Sequence, residues 1–263
     1  METLRYKLTL AYRGTAYHGW QRQIPAGGAE LPTVQQVVRM ALMRTLGHEV
    51  TLVGSSRTDA GVHALGQVAH FDTIRTQVPP ERVMLALNAK LPDDVSAVAI
   101  EAVPAGFDAI ASTLEKAYRY TVHNAPLKDA FRGDLASHVP KPLDAGAMAA
   151  AAAALAGEHD FASFAKPGHG RETTVRRVRT ADVRRTGDRV VLEFVGGGFL
   201  WHQVRIMVGT LIEVGLGRRT PESVAAALAA RDRQAAGPTA PPHGLCLLWV
   251  RTRETGDDPN PAA

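Results

Sequence analysis

Leu4, Tyr6, Leu8, Leu10 and Tyr12 recur at every second position among mainly polar neighbours, so Leu4–Tyr12 is predicted to be a strand with one buried face. The period then changes. Thr33 precedes Val34, Val37, Val38, Ala41 and Leu42, an apolar stripe at helical spacing, and Gln36 stands where a capping box has its second member. Strands over Glu49–Val53 and Gly66–Asp72, a helix over Pro80–Leu91 and a strand over Val95–Val103 follow. Their order is β-α-β-β-α-β, the split βαβ pattern.

The remainder repeats that order in a longer form. A strand is predicted over Leu114–Asn124, then an alanine-rich helix over Leu143–Gly157 with Asp144 as its cap. Strands over Val175–Thr186 and Arg189–Val195 are joined at Gly187–Asp188, a hairpin signal. Helices over Leu200–Leu216 and Pro221–Ala230 and a strand over Leu245–Arg251 complete the series. The repeat is one of order, without a repeat of sequence. The expected fold is therefore α+β: two split-βαβ (RRM/ferredoxin-like) halves, residues 1–105 and 106–253. They are expected to form one extended antiparallel sheet, with helices on one side and a central active-site cleft. Residues 254–263, polar and proline-containing, are expected to be a disordered tail, and Ile24–Pro32 an exposed loop.

Composition narrows the function classes. At 263 residues, 45% hydrophobic and 21% charged, the chain suits a globular protein with a substantial core. No apolar run is long enough to span a bilayer and the N-terminus lacks a signal peptide's form, so a cytoplasmic protein without membrane association is expected. The single cysteine, Cys246, excludes an intramolecular disulfide framework and a multi-cysteine metal site, and its apolar setting reads as a structural thiol. The histidines show no metal-ligand spacing, and neither G-x-G-x-x-G nor a P-loop is present. Chemistry is expected from side chains alone, without metal or organic cofactor.

The net charge is only +4, but its distribution is uneven. Arg171, Arg176, Arg177, Arg179, Arg184, Arg185 and Arg189 crowd one predicted hairpin against Glu172, Asp182 and Asp188. Such a stripe can track a nucleic-acid backbone, or can be a solvated edge that resists strand pairing. In Lys116-Ala-Tyr-Arg-Tyr120 the pleat sends Tyr118 and Tyr120 to one face and Arg119 to the other. The aromatics suit stacking on an unpaired base and Lys116 and Arg119 suit phosphate, while the same spacing fits a core strand with two buried tyrosines. Arg205 sits among the apolar Val204, Met207, Val208 and Leu211 of a predicted helix and needs a partner, for which Asp59 is a candidate; a snorkelling surface arginine is the other reading.

Gly54-Ser-Ser-Arg-Thr-Asp-Ala-Gly-Val-His63 carries the densest chemical content. It sets the Asp59 carboxylate beside Arg57 in a loop of small residues between two strands, where a ligand can approach the backbone. A carboxylate held ionised in a partly dry pocket serves as nucleophile or base. An isolated Arg-Thr-Asp would more simply be a capped turn.

Together these segments resemble the tRNA pseudouridine synthase I (TruA) family from Tyr12 to about Val250. The resemblance rests on Y-R-G-T-A-Y-H-G-W-Q-R-Q (Tyr12–Gln23), R-T-D-A-G-V-H with G-Q-V-A-H-F, N-A-K-L-P (Asn88–Pro92), K-A-Y-R-Y, D-F-A-S-F (Asp160–Phe164), F-L-W-H-Q-V-R-I-M-V-G and G-L-C-L (Gly244–Leu247). It implies Asp59 as catalytic aspartate, Tyr118 against the target uracil, Arg57 displacing or replacing the flipped base, Arg205 pairing with Asp59 and Leu245 lining the uracil pocket. Lys116, Arg119, Arg176 and Arg177 are the expected RNA-binding residues. The implied substrate is a uridine of the tRNA anticodon stem-loop, usually position 38, 39 or 40, acted on by a homodimer without metal or cofactor. Arg13 stands where the family commonly has Asp, and Asp108–Ala109–Ile110 where it commonly has His-Ala-Arg, a loss of basic groups that bears on which uridines are chosen. A silent RNA-binding protein on a duplicated RRM-like scaffold would not need the intact Arg-Thr-Asp. A nucleoside hydrolase would need a second acid or water-activating group at recognisable spacing, and none is found.

Overall fold

The computed structural model describes residues 3–24, 28, 30–168, 170 and 172–253. Arg171, the tail and part of the Ile24–Pro32 loop lie outside them. The chain divides into two compact units, one of residues 1–114 with 247–263, the other of residues 115–246. Both mix helices with mostly antiparallel strands, so the chain is α+β.

The first unit contains β1 (Leu4–Tyr12), α1 (Val34–Leu46), β2 (Val53–Gly54), β3 (His63–Thr73), α2 (Pro80–Asn88) and β4 (Val95–Val103). β1 lies between β4 and β3 and is antiparallel to both, while β2 pairs with β3. The alternation of β1 is realised: Tyr6, Leu8, Leu10 and Tyr12 are buried. On β3, Phe71, Ala69 and Gln67 stand opposite Tyr6, Leu8 and Leu10 and so share their face. Val68, on the other face, packs with Phe107, Ala109, Val103 and Val250. β3 is thus covered on both sides, which explains its nearly continuous burial. The Thr33 hydroxyl caps α1 by accepting the Gln36 N–H at 3.4 Å, and Gly47 ends the helix in the left-handed region at φ 75°.

Two expectations in this unit are corrected. The strand expected over Glu49–Val53 reduces to Val53–Gly54. Val50 and Leu52 are buried, but their carbonyls accept from Arg39 Nε (3.0 Å) and Gln35 Nε2 (2.8 Å) of α1. The helix thus takes the acceptors a longer ladder would need. The helix expected to reach Leu91 stops at Asn88, whose side-chain amide receives the Ala97 N–H (2.8 Å) and donates to the Ala97 carbonyl (2.9 Å). That clamp sits where the β1–β4 register shifts and leaves Val98 out of the ladder.

The second unit holds most of β5 (Thr113–His123), then β6 (Ser137–His138), α3 (Ala145–Ala152), β7 (Gly157–Asp160), β8 (Val175–Thr186), β9 (Arg189–Gly196), α4 (Gln203–Gly215) and α5 (Ser223–Ala230). β10 (Leu245–Thr252) begins in this unit and continues into the first. The strand order is β5-β9-β8-β7, with β6 parallel to β5. The β8–β9 hairpin turns at Gly187, φ 56°. Asp144 caps α3 by accepting the Ala147 N–H at 2.9 Å. The helix expected to reach Gly157 ends at Ala152, continues as a 3-10 turn through Leu155, and swings at Gly157 into β7. Val204, Met207, Val208 and Leu211 of α4 are buried, as their spacing predicts.

Candidate active site

The Gly54–His63 loop is held by neutral hydrogen bonds from strands and turns of its own unit. Ser55 donates its N–H to Val68 O at 2.8 Å, and the Gln67 side chain meets both backbone groups of Ser56. The Thr58 and Tyr12 hydroxyls are 2.8 Å apart, and the Thr58 carbonyl accepts the Trp20 N–H at 3.1 Å. Past Asp59, Gly61 N–H reaches Tyr17 O at 3.2 Å and Val62 N–H reaches Asp59 O at 3.1 Å. His63 Nδ1 accepts the Gly14 N–H at 3.0 Å, so a neutral His63 carries its proton on Nε2.

The Tyr12–Gln23 motif is the other wall of this frame. Trp20 is buried and stacks on Tyr12 with ring centroids 6.1 Å apart. Gly19 has φ 89°, and a Cβ there would lie 2.6 Å from the Thr58 carbonyl oxygen. The Tyr17 hydroxyl donates to Asp94 at 2.6 Å, and its pKa is raised, first by burial and then by that bond. Within the frame Thr58 is buried, Asp59 half-buried and Arg57 exposed. Successive residues so present a carboxylate and a guanidinium on either side of a fixed hydroxyl. The Ser56 hydroxyl is buried and has no hydrogen-bond partner.

The remaining expected site residues belong to the second unit. Tyr118 is buried, with its ring edge-to-face on Phe199 at 5.4 Å. Tyr120 is a core residue: its hydroxyl donates to Pro241 O at 2.9 Å, its ring fills the space a Gly244 side chain would need, and burial raises its pKa to about 12. Of the two tyrosines, Tyr120 therefore follows the core-strand reading. Arg205 is half-buried on α4, its Nε donating to Ala240 O at 2.8 Å while Ala240 N–H returns to Arg205 O at 3.0 Å. Leu245 is buried at the start of β10, and Lys116 is half-buried on β5.

The arginine stripe divides between the two faces of its strands. Arg119 pairs across to Glu193 on β9 at 2.7 Å, and Arg184 of β8 meets the same carboxylate at 3.1 Å. These cations, Arg184 first, hold the Glu193 carboxyl below its usual pKa. Arg177 lies on this face too, opposite Glu158. Arg176 points to the other face and donates to the carbonyls of Thr173 (3.0 Å) and Val175 (2.6 Å). Arg185 also points away, donating to Asn124 Oδ1 (2.7 Å) and Leu143 O (2.8 Å). Arg179 sits at the register shift and pairs with Glu115 at 2.9 Å. Arg171 lies outside the described residues. The stripe is thus partly internal wiring rather than one continuous cationic track.

At the Asp108–Ala109–Ile110 departure, Asp108 accepts the N–H groups of Ile110 and Ala111, each at 2.8 Å, and the latter bond is the largest cause of its lowered pKa. The Ala109 N–H donates to His70 Nδ1 at 3.0 Å, and burial chiefly lowers the His70 pKa, with Arg5 adding to the effect. Asp108 thus serves as a turn cap beside a buried neutral histidine. Among the described residues no group of three or more His, Cys, Asp or Glu is placed to hold a metal ion, and no helix is long and apolar enough to cross a membrane.

Gln67 and Tyr12 join the frame of the site only in the structure. Gln67 has a sequence signal, a polar side chain in the phase of β3 that otherwise carries Ala69 and Phe71. Tyr12 looks like one more apolar position of β1 and carries no such signal.

A family model described as tRNA pseudouridine synthase matches residues 9–110 and 151–252. The chain is 48% identical to a tRNA pseudouridine synthase A of Moorella thermoacetica, covering 93% of this chain and 98% of that protein. It is 44% identical to the one of Brevibacillus brevis (94% and 98% covered) and 46% identical to the one of Pelobacter propionicus (93% and 98% covered).

Proposed function

The chain belongs to the tRNA pseudouridine synthase family, and from that premise we propose that Asp59 is the group on which its isomerisation of uridine to pseudouridine turns. The observation that carries this reading is the frame around Asp59: a half-buried carboxylate in a loop fixed by buried, neutral hydrogen bonds.

The reaction replaces the N1–C1′ bond of uridine with a C5–C1′ bond. The C5 hydrogen leaves to solvent and N1 gains one, so no part of the nucleoside departs. A second carboxylate to protonate a leaving group is therefore less needed than in glycoside hydrolysis. Positioning matters more, because the uracil must stay beside the sugar while it turns, and water must stay out. A carboxylate on a rigid loop suits that demand. Reaching it requires the uridine to leave its stack, at a cost of a few kcal/mol that basic and aromatic contacts offset. Arg57, exposed next to the fixed Thr58, is the proposed residue that displaces the base or takes its place.

Tyr118 and Leu245 are the proposed uracil contacts, and Arg205 the proposed partner of the Asp59 carboxylate, as the resemblance implies. Lys116, Arg119 and Arg177 are the proposed RNA-binding residues, with Arg176, on the other face of its strand, a lesser contributor. The substrate is proposed to be the anticodon stem-loop of tRNA, the active form a cytoplasmic homodimer, and the architecture a pair of split-βαβ halves. Release of tritium from uracil-5-labelled tRNA tests the central claim. Wild type should release label and Asp59→Asn should fall to background while still binding tRNA. Turnover near the wild-type rate in Asp59→Asn would remove Asp59 from the chemistry.

A further inference from the structure

Gln67 is fully buried in β3, opposite Leu10 and in one row with Ala69 and Phe71, where the pleat asks for an apolar side chain. The register of the neighbouring ladder gives its reason. Val53 pairs with His70 and Gly54 with Ala69, and Ser55 N–H donates to Val68 O. The next rung in this series joins Ser56 to Gln67. There the side-chain amide replaces the backbone: Oε1 accepts the Ser56 N–H at 3.2 Å, and Nε2 donates to the Ser56 carbonyl at 2.6 Å. One extra rung is made at side-chain length from the strand, and residues 57–59 leave from it. The chain uses the same device at Asn88, whose amide clamps Ala97 where the β1–β4 register shifts.

We propose that Gln67 is a positioning residue of the reaction, fixing the Ser56 backbone and thereby the place at which Asp59 is presented, three residues further on. The proposal rests on the reading of Asp59 given above. Gln67 acts through the loop and has no substrate contact of its own to lose. Its removal should therefore lower kcat and leave the KM for tRNA unchanged.

The test is tritium release by wild type, Gln67→Met, Gln67→Glu and Asp59→Asn. Gln67→Met keeps the length and loses both bonds, and kcat should drop on the order of 100-fold, the scale of a loosened reacting group. Gln67→Glu gives a second reading, taken as kcat per folded enzyme with the folded fraction followed by circular dichroism at each pH, because an ionised carboxylate at this buried position also lowers stability as pH rises. Its ionised carboxylate accepts the Ser56 N–H but opposes the Ser56 carbonyl, whereas its protonated form donates as the amide did. Its kcat relative to wild type should rise as pH is lowered from about 9 to about 6, tenfold per unit above the pKa of the introduced acid. Tyr12 of β1, Arg57 and Asp59 of the loop and His63 of β3 are common to both enzymes and cancel in that ratio.

A ratio independent of pH, or wild-type kcat in Gln67→Met, would overturn the positioning role. So would a raised KM with kcat intact. If Gln67→Met does not fold, the pH ratio of Gln67→Glu decides. Wild-type turnover in Asp59→Asn would overturn the reading of Asp59 instead, while an inactive Asp59→Asn beside a fully active Gln67→Met would overturn the Gln67 proposal alone.

Discussion

The Asp59 loop and the β8–β9 hairpin are built on opposite principles. The loop is held by neutral donors and acceptors that are mostly buried, on Tyr12, Gln67, Trp20 and the backbone. The hairpin is dressed with charges that are mostly exposed, several of them satisfied by Glu193, Glu115 or nearby carbonyls. Buried neutral bonds fix geometry, since each lost partner leaves a desolvated group behind. Exposed ion pairs fix little, because water and salt replace them readily. An arginine tied to a neighbouring carboxylate can still exchange that partner for a phosphate. A fixed carboxylate and a set of exchangeable cations are what base-level chemistry on a long polyanion asks for.

Breaking the first side of this contrast should have the largest effect. Gly19→Ala puts a β-carbon against the Thr58 carbonyl and asks alanine for φ 89°. We expect a loss of about 3 kcal/mol, seen as a fall of Tm by roughly 6–12 °C. Activity at temperatures where the protein remains folded should fall with it, because the displaced atom belongs to the residue before Asp59. A Tm within a degree of wild type would show that the frame yields easily, and the contrast with the hairpin would lose its basis.

The second side predicts an asymmetry between adjacent arginines. Arg177 shares the face of Arg119 and Arg184, whereas Arg176 points away and serves its own turn. Arg177→Glu should weaken tRNA binding on the order of tenfold at low salt and reduce the slope of log affinity against log salt by about one. Arg176→Glu should change that slope less and lower Tm more. Equal slopes for the two variants, by filter binding across a salt series, would mean that the division of the strand into two faces does not govern RNA contact.

How much of this was legible follows the same division. β1, β4, the caps at Thr33 and Asp144 and the Gly187 turn could be read because each has a local signal: a period of two, a capping hydroxyl or carboxylate, a glycine at positive φ. Asp59 stands out as a candidate because Arg-Thr-Asp lies in a loop of small residues, while the role proposed for it comes from the family resemblance. β7 could not be read, since Gly-Glu-His-Asp has no apolar alternation and pairs only because β8 runs beside it. β2 is shorter than its sequence suggests for a tertiary reason, the capture of the Val50 and Leu52 carbonyls by α1. The split of the arginines also needed the register, because the shift between Val178 and Thr180 changes which residues share a face.

Ser56 gives the finest test of the loop's construction. Its backbone N–H and carbonyl are both engaged by Gln67, whereas its hydroxyl is buried with no partner. If the backbone clamp holds the loop, the hydroxyl contributes only an unmet desolvation cost. Ser56→Ala should then leave stability unchanged or raise it, by at most about 1 kcal/mol, a Tm gain of no more than roughly 4 °C. A clear loss of stability would mean that the hydroxyl holds a partner of its own, such as a buried water molecule. The loop would then be fixed by side chain and backbone together, and the Gln67 rung would be one of two supports at Ser56.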